Sequence, residues 1–202
     1  MKSALILASA SPRRRELLAQ AGYHFAVHPS SVPESRRPGE EPIRFATRLA
    51  REKAEEVFAR HQPSSAHAPV PDVPVMVLGA DTVVVCDHEI LNKPIDDADA
   101  ARMLRMLAGR THQVITGVCL ISRLGIEVAA ETTRVTMLTL SDEEILAYVA
   151  TREPMDKAGA YAIQGYAGRW IPRIHGCYFN VVGLPLSLVA GLLEGAEKRL
   201  AD

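Results

Sequence analysis

Residues 5–18 read Leu-Ile-Leu-Ala-Ser-Ala-Ser-Pro-Arg-Arg-Arg-Glu-Leu-Leu. Leu5-Ile6-Leu7-Ala8 is a short apolar run with the pattern of a buried strand. Ser11 is a good N-cap and Pro12 suits the first helical position, so a helix is predicted from Arg13 to about Ala21. Leu17 and Leu18 point inward on that helix, and Gly22 is a natural stop. The strand-to-helix junction is also the first place where chemistry could sit. A helix N-terminus presents unpaired N–H groups and the positive end of a dipole, which favours anions. Two serines add donors, and arginine adds a planar fork that matches phosphate. An ordinary cap followed by a solvated basic face is the other reading, although cations there oppose the helix dipole unless an anion is bound. The G-x-x-x-x-G-K-S/T phosphate loop is absent.

Outward from this stretch, Phe25 to Val27 reads as a second strand and Ser30 to Glu40 as loop. Glu41 to His61 reads as a long amphipathic helix with Ile43, Phe45, Leu49, Ala50, Val57 and Phe58 apolar. His61 to Pro74 is rich in Pro, Ser and Ala and reads as a mobile surface loop. Val75 to Leu78 and Thr82 to Val85 are strand-like, with Gly79-Ala80-Asp81 interrupting them. Asp96 to Ala108 is predicted helical, with acids at its start. Thr111 to Ile121 and Ile126 to Met137 are predicted strands joined by a turn at Arg123-Leu124-Gly125. Ser141-Asp142-Glu143-Glu144 has the form of a capping box. Trp170 to Ile174 and Tyr178 to Val182 read as a closing hairpin, followed by a helix over Leu184 to Leu200.

The chain has 202 residues, 48% hydrophobic and 23% charged, with 5% aromatic, which suits one compact domain or at most two lobes sharing a core. A formal net charge of -1 argues against a nucleic-acid binder that grips the phosphate backbone. No apolar run approaches the roughly 18 residues of a spanning helix. The arginines follow the short apolar stretch, the wrong side for a signal peptide. Three cysteines, Cys86, Cys119 and Cys177, are odd in number and widely spaced, which disfavours a disulfide framework. A soluble, cytoplasmic protein is expected. The chain carries 18 arginines but only five lysines, so the internal lysines Lys53, Lys93 and Lys157 stand out.

Two further stretches are candidates. An acid at the end of an apolar strand, as Asp81 is in Gly79-Ala80-Asp81-Thr82, is where α/β folds often place a base or a metal ligand, but Gly and Asp are also common turn residues. Residues 153–165, Glu-Pro-Met-Asp-Lys-Ala-Gly-Ala-Tyr-Ala-Ile-Gln-Gly, look like a binding loop rather than core. Gln164 there has an amide able to read donor and acceptor edges of a base; an exposed ion pair in a structural loop is the alternative. No His or Cys spacing points to zinc, so any metal should be hard and held by oxygen.

Taken in order, LILASASPRRRELL from Leu5, LAREKA from Leu49, GADTVV from Gly79, NKP from Asn92, GRTHQVITGV from Gly109, EPMDKAGAYAIQG from Glu153 and NVVGLPL from Asn180 resemble the Maf family of nucleoside triphosphate pyrophosphatases. The resemblance covers essentially the whole chain, so residues 1–202 are expected to form a single domain of that kind. It implies an elongated α/β fold, a mixed sheet with flanking helices in two lobes around a cleft, similar to that of inosine triphosphate pyrophosphatase. It implies cleavage of a nucleoside triphosphate to monophosphate and pyrophosphate, assisted by Mg²⁺ or Mn²⁺, as house-cleaning of non-canonical nucleotides with a link to cell-division arrest. Asp81 matches the family's general base. Arg13, Thr82 and Gln164 match positions tied to substrate choice, and Ser11, Glu34, Lys53 and Lys93 match polar positions of the cleft. Asp81 and Glu34 are the expected metal ligands. The Ile163-Gln164-Gly165 sequence looks like the branch acting on dTTP and UTP. A homodimer is implied; nucleic-acid and membrane partners are not. Pro33, Ala162, Cys177 and the longer loop depart from the family pattern. A purine-directed pyrophosphatase and a nucleotide-binding regulator without turnover are the alternatives.

Overall fold

The computed structural model describes residues 4–61 and 74–201. The stretch read as a mobile surface loop falls outside the described residues apart from its ends, His61 and Pro74. Strands are β1 (Ala4–Leu7), β2 (Phe25–Val27), β3 (Val75–Cys86), β4 (Glu89–Leu91), β5 (Thr111–Ser122), β6 (Gly125–Thr136) and β7 (Arg173–His175). Helices are α1 (Pro12–Gln20), α2 (Pro42–Ala59), α3 (Asp97–Leu107), α4 (Asp142–Ala150), α5 (Tyr178–Val182) and α6 (Leu186–Ala201). The strands form one mixed seven-stranded sheet in the order β2-β1-β3-β5-β6-β7, with β4 also paired to β3. β1 runs parallel to both β2 and β3, while β4 and β7 are antiparallel to their partners.

The chain forms two compact units. The first comprises the described residues of Met1–Asp81, Gly117–Ala130 and Gly183–Asp202; the second comprises Thr82–Thr116 and Glu131–Val182. In the first unit, α1 starts as its sequence dictates: the Ser11 side chain accepts from Arg14 N, and Gly22 takes a positive φ of 83° just past the helix end. Helix α2 buries Phe45, Ala46, Leu49, Ala50, Lys53, Ala54 and Val57, while Ile43 in its first turn is half-exposed. The core here joins Ile6, Ala8, Ala50, Ala54, Val57, Val77, Cys119 and Ile121.

The predicted break at Gly79-Ala80-Asp81 is not there: β3 runs without interruption through all three residues. Gly79 is required by packing instead of by a turn. A Cβ on Gly79 would lie 2.2 Å from the Ala50 carbonyl oxygen, and one on Gly117 would lie 2.5 Å from that of Ala46. Two glycines in the strands and three alanines in the helix let the α2 backbone lie directly on the sheet.

In the second unit, α4 starts with the complete capping box, Ser141 and Glu144 each bonding to the other's main-chain nitrogen. The core gathers α3, α4 and the strand residues Val84, Val114 and Val135 around Tyr148, Tyr161 and Trp170. The predicted closing hairpin is absent. Trp170 ends a 3-10 turn, Arg173–His175 pairs with β6, and Tyr178–Val182 is a short helix. The aromatic and β-branched residues there carry strand propensity, but tertiary bonds from the buried Asn180 side chain to Val114 O and Thr133 Oγ1 hold the segment otherwise.

His112 is buried in this unit, with Nε2 hydrogen-bonded to the Tyr161 hydroxyl at 2.8 Å. No partner is found for its Nδ1 among the described residues. Burial pulls its pKa from 6.5 down to about 4. The unfolded chain therefore takes up a proton that the folded protein refuses, and stability is lost as pH falls through this window. A loss of about 3 kcal/mol is expected between pH 6.5 and 4 from this residue. Urea unfolding at pH 7 and pH 4.5 checks it: His112→Leu should show a shallower pH dependence, and an unaltered dependence would exonerate His112.

Candidate functional site

In the first unit, β3 carries Asp81, α2 carries Lys53 and the segment before α2 carries Glu34. Gly79 and Asp81, two residues apart, share the face of β3 that meets α2. This brings Lys53 Nζ to 2.6 Å from Asp81 Oδ1 and 2.5 Å from Glu34 Oε1. Lys53 and Asp81 are 7% and 6% exposed, while the Glu34 side chain is nearly half-exposed. Burial is the largest influence on Asp81 and raises its pKa; Lys53 and Arg14 oppose this, and Glu34 adds to it. Asp81 thus holds a proton more readily than a solvated carboxylate, while Lys53 keeps its anion accessible.

Sequence reasoning took Ser9 as a donor at an anion site and gave Arg14 no role apart from the arginine run. Arg14 is buried: Nε donates to Gly183 O at 2.8 Å, and Nη1 donates to Ala80 O at 2.9 Å and to Ser9 Oγ at 3.2 Å. Burial lowers the Arg14 pKa, and Asp81 and Glu34 counter that. Arg14 thereby ties the start of α1 to the residue preceding Asp81. Its inward direction was available from spacing, since Leu17 and Leu18 lie three and four residues on. Ser9 is buried and accepts from Ser11 N at 3.2 Å as well. Ser11 and Arg13 are half-buried at the same helix start. Arg13, Arg14 and Lys53 set three cations against two carboxylates, a local positive excess at a helix N-terminus.

The remaining predicted residues belong to the second unit. Thr82 follows Asp81 along β3 and projects to the other face; its Oγ1 lies 2.9 Å from Thr116 Oγ1. Lys93 is exposed just after β4, and Gln164 is exposed in a turn. The stretch 153–165, read as a binding loop, is partly core: Pro154, Gly159, Ala160 and Tyr161 are buried. Glu153 pins it, accepting from the Tyr148 hydroxyl at 2.8 Å and from Tyr166 N at 3.2 Å. Lys157 donates to Asp156 and to Glu153 O, both at 2.6 Å. That pair fastens the loop, and Gln164 is its outward-facing part.

No group of three or more His, Cys, Asp or Glu side chains able to hold a metal converges among the described residues. Asp81 and Glu34 offer carboxylate oxygens only, both already accepting from Lys53. Such a donor set fits a hard cation that takes one or two carboxylates and completes its shell with phosphate oxygens and water. No described helix is long and apolar enough to cross a membrane.

Comparison with known proteins places this geometry in context. A family model described as Maf-like protein matches residues 4–196. A dTTP/UTP pyrophosphatase of Koribacter versatilis is 54% identical over 192 residues, 95% of this chain and 94% of the relative. Proteins of the same name from Geobacter sulfurreducens and Vibrio cholerae are 54% and 48% identical, covering 92% and 91% of this chain and 92% and 93% of their own. Matched almost end to end, with Asp81 in an unbroken central strand, the chain belongs to the Maf-like protein family.

Proposed function

We propose that this chain is a single-domain nucleoside triphosphate pyrophosphatase that hydrolyses dTTP and UTP to the monophosphate and pyrophosphate. The observation that carries the reading is the buried Asp81 carboxylate, held by Lys53 beside Glu34; the names of the relatives supply the substrate class. Asp81 accepts a proton from the attacking water, and its buried site raises its proton affinity toward the working range of a general base. Lys53 orients the carboxylate that receives the proton. Arg13 and Lys93 balance the charge of the triphosphate, with Ser11 and the first N–H groups of α1 as additional donors. Asp81 and Glu34 would hold Mg²⁺ or Mn²⁺, which would supply further neutralisation of the triphosphate charge. A homodimer working in the cytoplasm on normal or modified nucleotides is the setting this activity fits.

Thr82 and Gln164 are proposed to set base choice. Uracil and thymine present a carbonyl, an N–H and a carbonyl, which the oxygen and NH₂ of an amide can pair with. Cytosine replaces the 4-carbonyl by an amine and the N3–H by a lone pair, so like groups face each other. Each such mismatch costs roughly 1–3 kcal/mol, enough for about tenfold or greater discrimination. The test is kcat/KM for dTTP, UTP, CTP and GTP in wild type and Gln164→Glu. dTTP and UTP should lead, and the variant should blur the ranking. A wild-type preference for GTP means a purine-directed enzyme, tight binding with no turnover means a regulator, and an unchanged ranking in the variant removes Gln164 from base recognition.

A further inference from the structure

Gln164 is one of two central residues of a tight turn: Gly165 N donates to Ala162 O at 3.1 Å, which closes the chain around Ile163 and Gln164. Ile163 packs against the core of the second unit, and Gln164 is exposed. Both ends of the turn are gripped by one pair of side chains. Before it, Ala162 N donates to the Tyr148 hydroxyl at 3.3 Å. After it, Tyr166 N donates to the Glu153 carboxylate, at 3.2 Å to Oε1 and 3.3 Å to Oε2. The Tyr148 hydroxyl gives its own hydrogen to Glu153 Oε1 at 2.8 Å, so a single side-chain link spans the turn from Ala162 to Tyr166.

The link is itself held in place. Tyr148 is fully buried on α4, with its ring edge-on to Trp170 at 5.2 Å and stacked on Tyr166 at 5.8 Å. Burial, and then the Glu153 carboxylate, push the Tyr148 pKa up, so the hydroxyl keeps its hydrogen at any working pH. Tyr166 is fixed further by Trp170 at 5.4 Å and by the Arg169 guanidinium 4.9 Å from its ring centre. Glu153 lies directly against Gly165: a Cβ there would sit 2.1 Å from Oε1 and 2.9 Å from Oε2. The Gly165 φ of −101° is open to any residue, so it is the carboxylate that needs glycine at this place.

We propose that Tyr148 and Glu153 are positioning residues for base choice: they clamp Ala162 N and Tyr166 N, and so hold the Gln164 amide in the one place from which it pairs with uracil or thymine. This rests on the reading of Gln164 as the base contact. Main-chain N–H groups flanking an exposed residue could be satisfied by water. Here a buried hydroxyl and a carboxylate are committed to them instead, and the residue between them is the amide. A turn free to move re-aims its amide to suit either pyrimidine, and a misplacement of about 1 Å can cost about 10²-fold in a site that depends on geometry.

The experiment measures kcat and KM for UTP and CTP in wild type, Tyr148→Phe, Glu153→Ala, Glu153→Gln, Gln164→Ala and the double variant Tyr148→Phe/Gln164→Ala, with a melting temperature for each protein. Tyr148→Phe keeps the buried ring and loses only the hydroxyl. It and Glu153→Ala should each lower the kcat/KM ratio of UTP to CTP by about tenfold, through a higher KM for UTP at nearly unchanged kcat. Glu153→Gln, whose amide oxygen can take the place of Oε1, should keep most of the ratio. Tyr148→Phe added to Gln164→Ala should change the ratio no further, because the residue being positioned is gone. If Tyr148→Phe fails to fold, Gly165→Ala, which pushes the Glu153 carboxylate aside, carries the same expectation. A clamp that only stabilises the fold would lower both substrates together. An unchanged ratio in folded Tyr148→Phe and Glu153→Ala proteins therefore overturns the proposal, as does a further fall in the double variant. If Gln164→Ala lowers the ratio in that event, the base-contact reading stands and the clamp alone is wrong; if Gln164→Ala also matches wild type, both fail.

Discussion

Asp81→Asn is expected to lower kcat/KM for dTTP by about 10²- to 10⁴-fold, the range for loss of a general base. The amide keeps the shape and still accepts from Lys53 Nζ, 2.6 Å away in the native protein. It has no basicity to take a proton from water. The fold should persist, because burial already disfavours the Asp81 anion and Lys53 retains Glu34 as a countercharge. Steady-state kinetics beside a thermal melt separate the two effects. A folded variant with more than half of wild-type activity would reduce Asp81 to a structural residue.

The second large effect is expected at Lys53. Its charge and hydrogen bond lower the Asp81 pKa, against burial and Glu34, which raise it. In Lys53→Met the larger opposing influence is gone, only Arg14 is left to oppose the rise, and two carboxylates share the space. The acid limb of the kcat/KM profile should then move to higher pH, because an adjacent positive charge that favoured the anion is lost. The direction follows from the base being active as the anion: a higher Asp81 pKa means that more enzyme is protonated and idle at a given pH. Adding Glu34→Gln should bring the limb part of the way back. A limb that stays at its wild-type position in a folded Lys53→Met protein would mean that the titrating base is not Asp81. Removing one member of a buried pair can cost about 3–5 kcal/mol of stability, so each profile is taken on protein shown to be folded.

Much of the first unit was legible because its punctuation is local. Ser11, Pro12 and Gly22 bound α1, and the apolar stripe of α2 follows a helical period. The break at Gly79-Ala80-Asp81 was misread because glycine and aspartate carry turn chemistry in sequence. What decides that stretch is the approach of the Ala50 carbonyl, a tertiary fact with no local signature. The region 170–182 failed for a related reason, since the bonds from Asn180 to Val114 and Thr133 join residues 66 and 47 positions apart. At the site, the family motifs named Asp81, Lys53 and Glu34 individually, but not that one ammonium joins them. Arg14 could have been found from its spacing to Leu17 and Leu18. It was absorbed into the run of three arginines, where only its neighbours are available to solvent.

The central claim is that this protein cleaves a pyrimidine triphosphate between its first two phosphates. Incubation of dTTP with purified protein and Mg²⁺, followed by ³¹P NMR and anion-exchange analysis, tests it most directly. Equimolar dTMP and pyrophosphate are expected, with neither dTDP nor orthophosphate accumulating. Release of dTDP and orthophosphate, or recovery of intact dTTP, would contradict it.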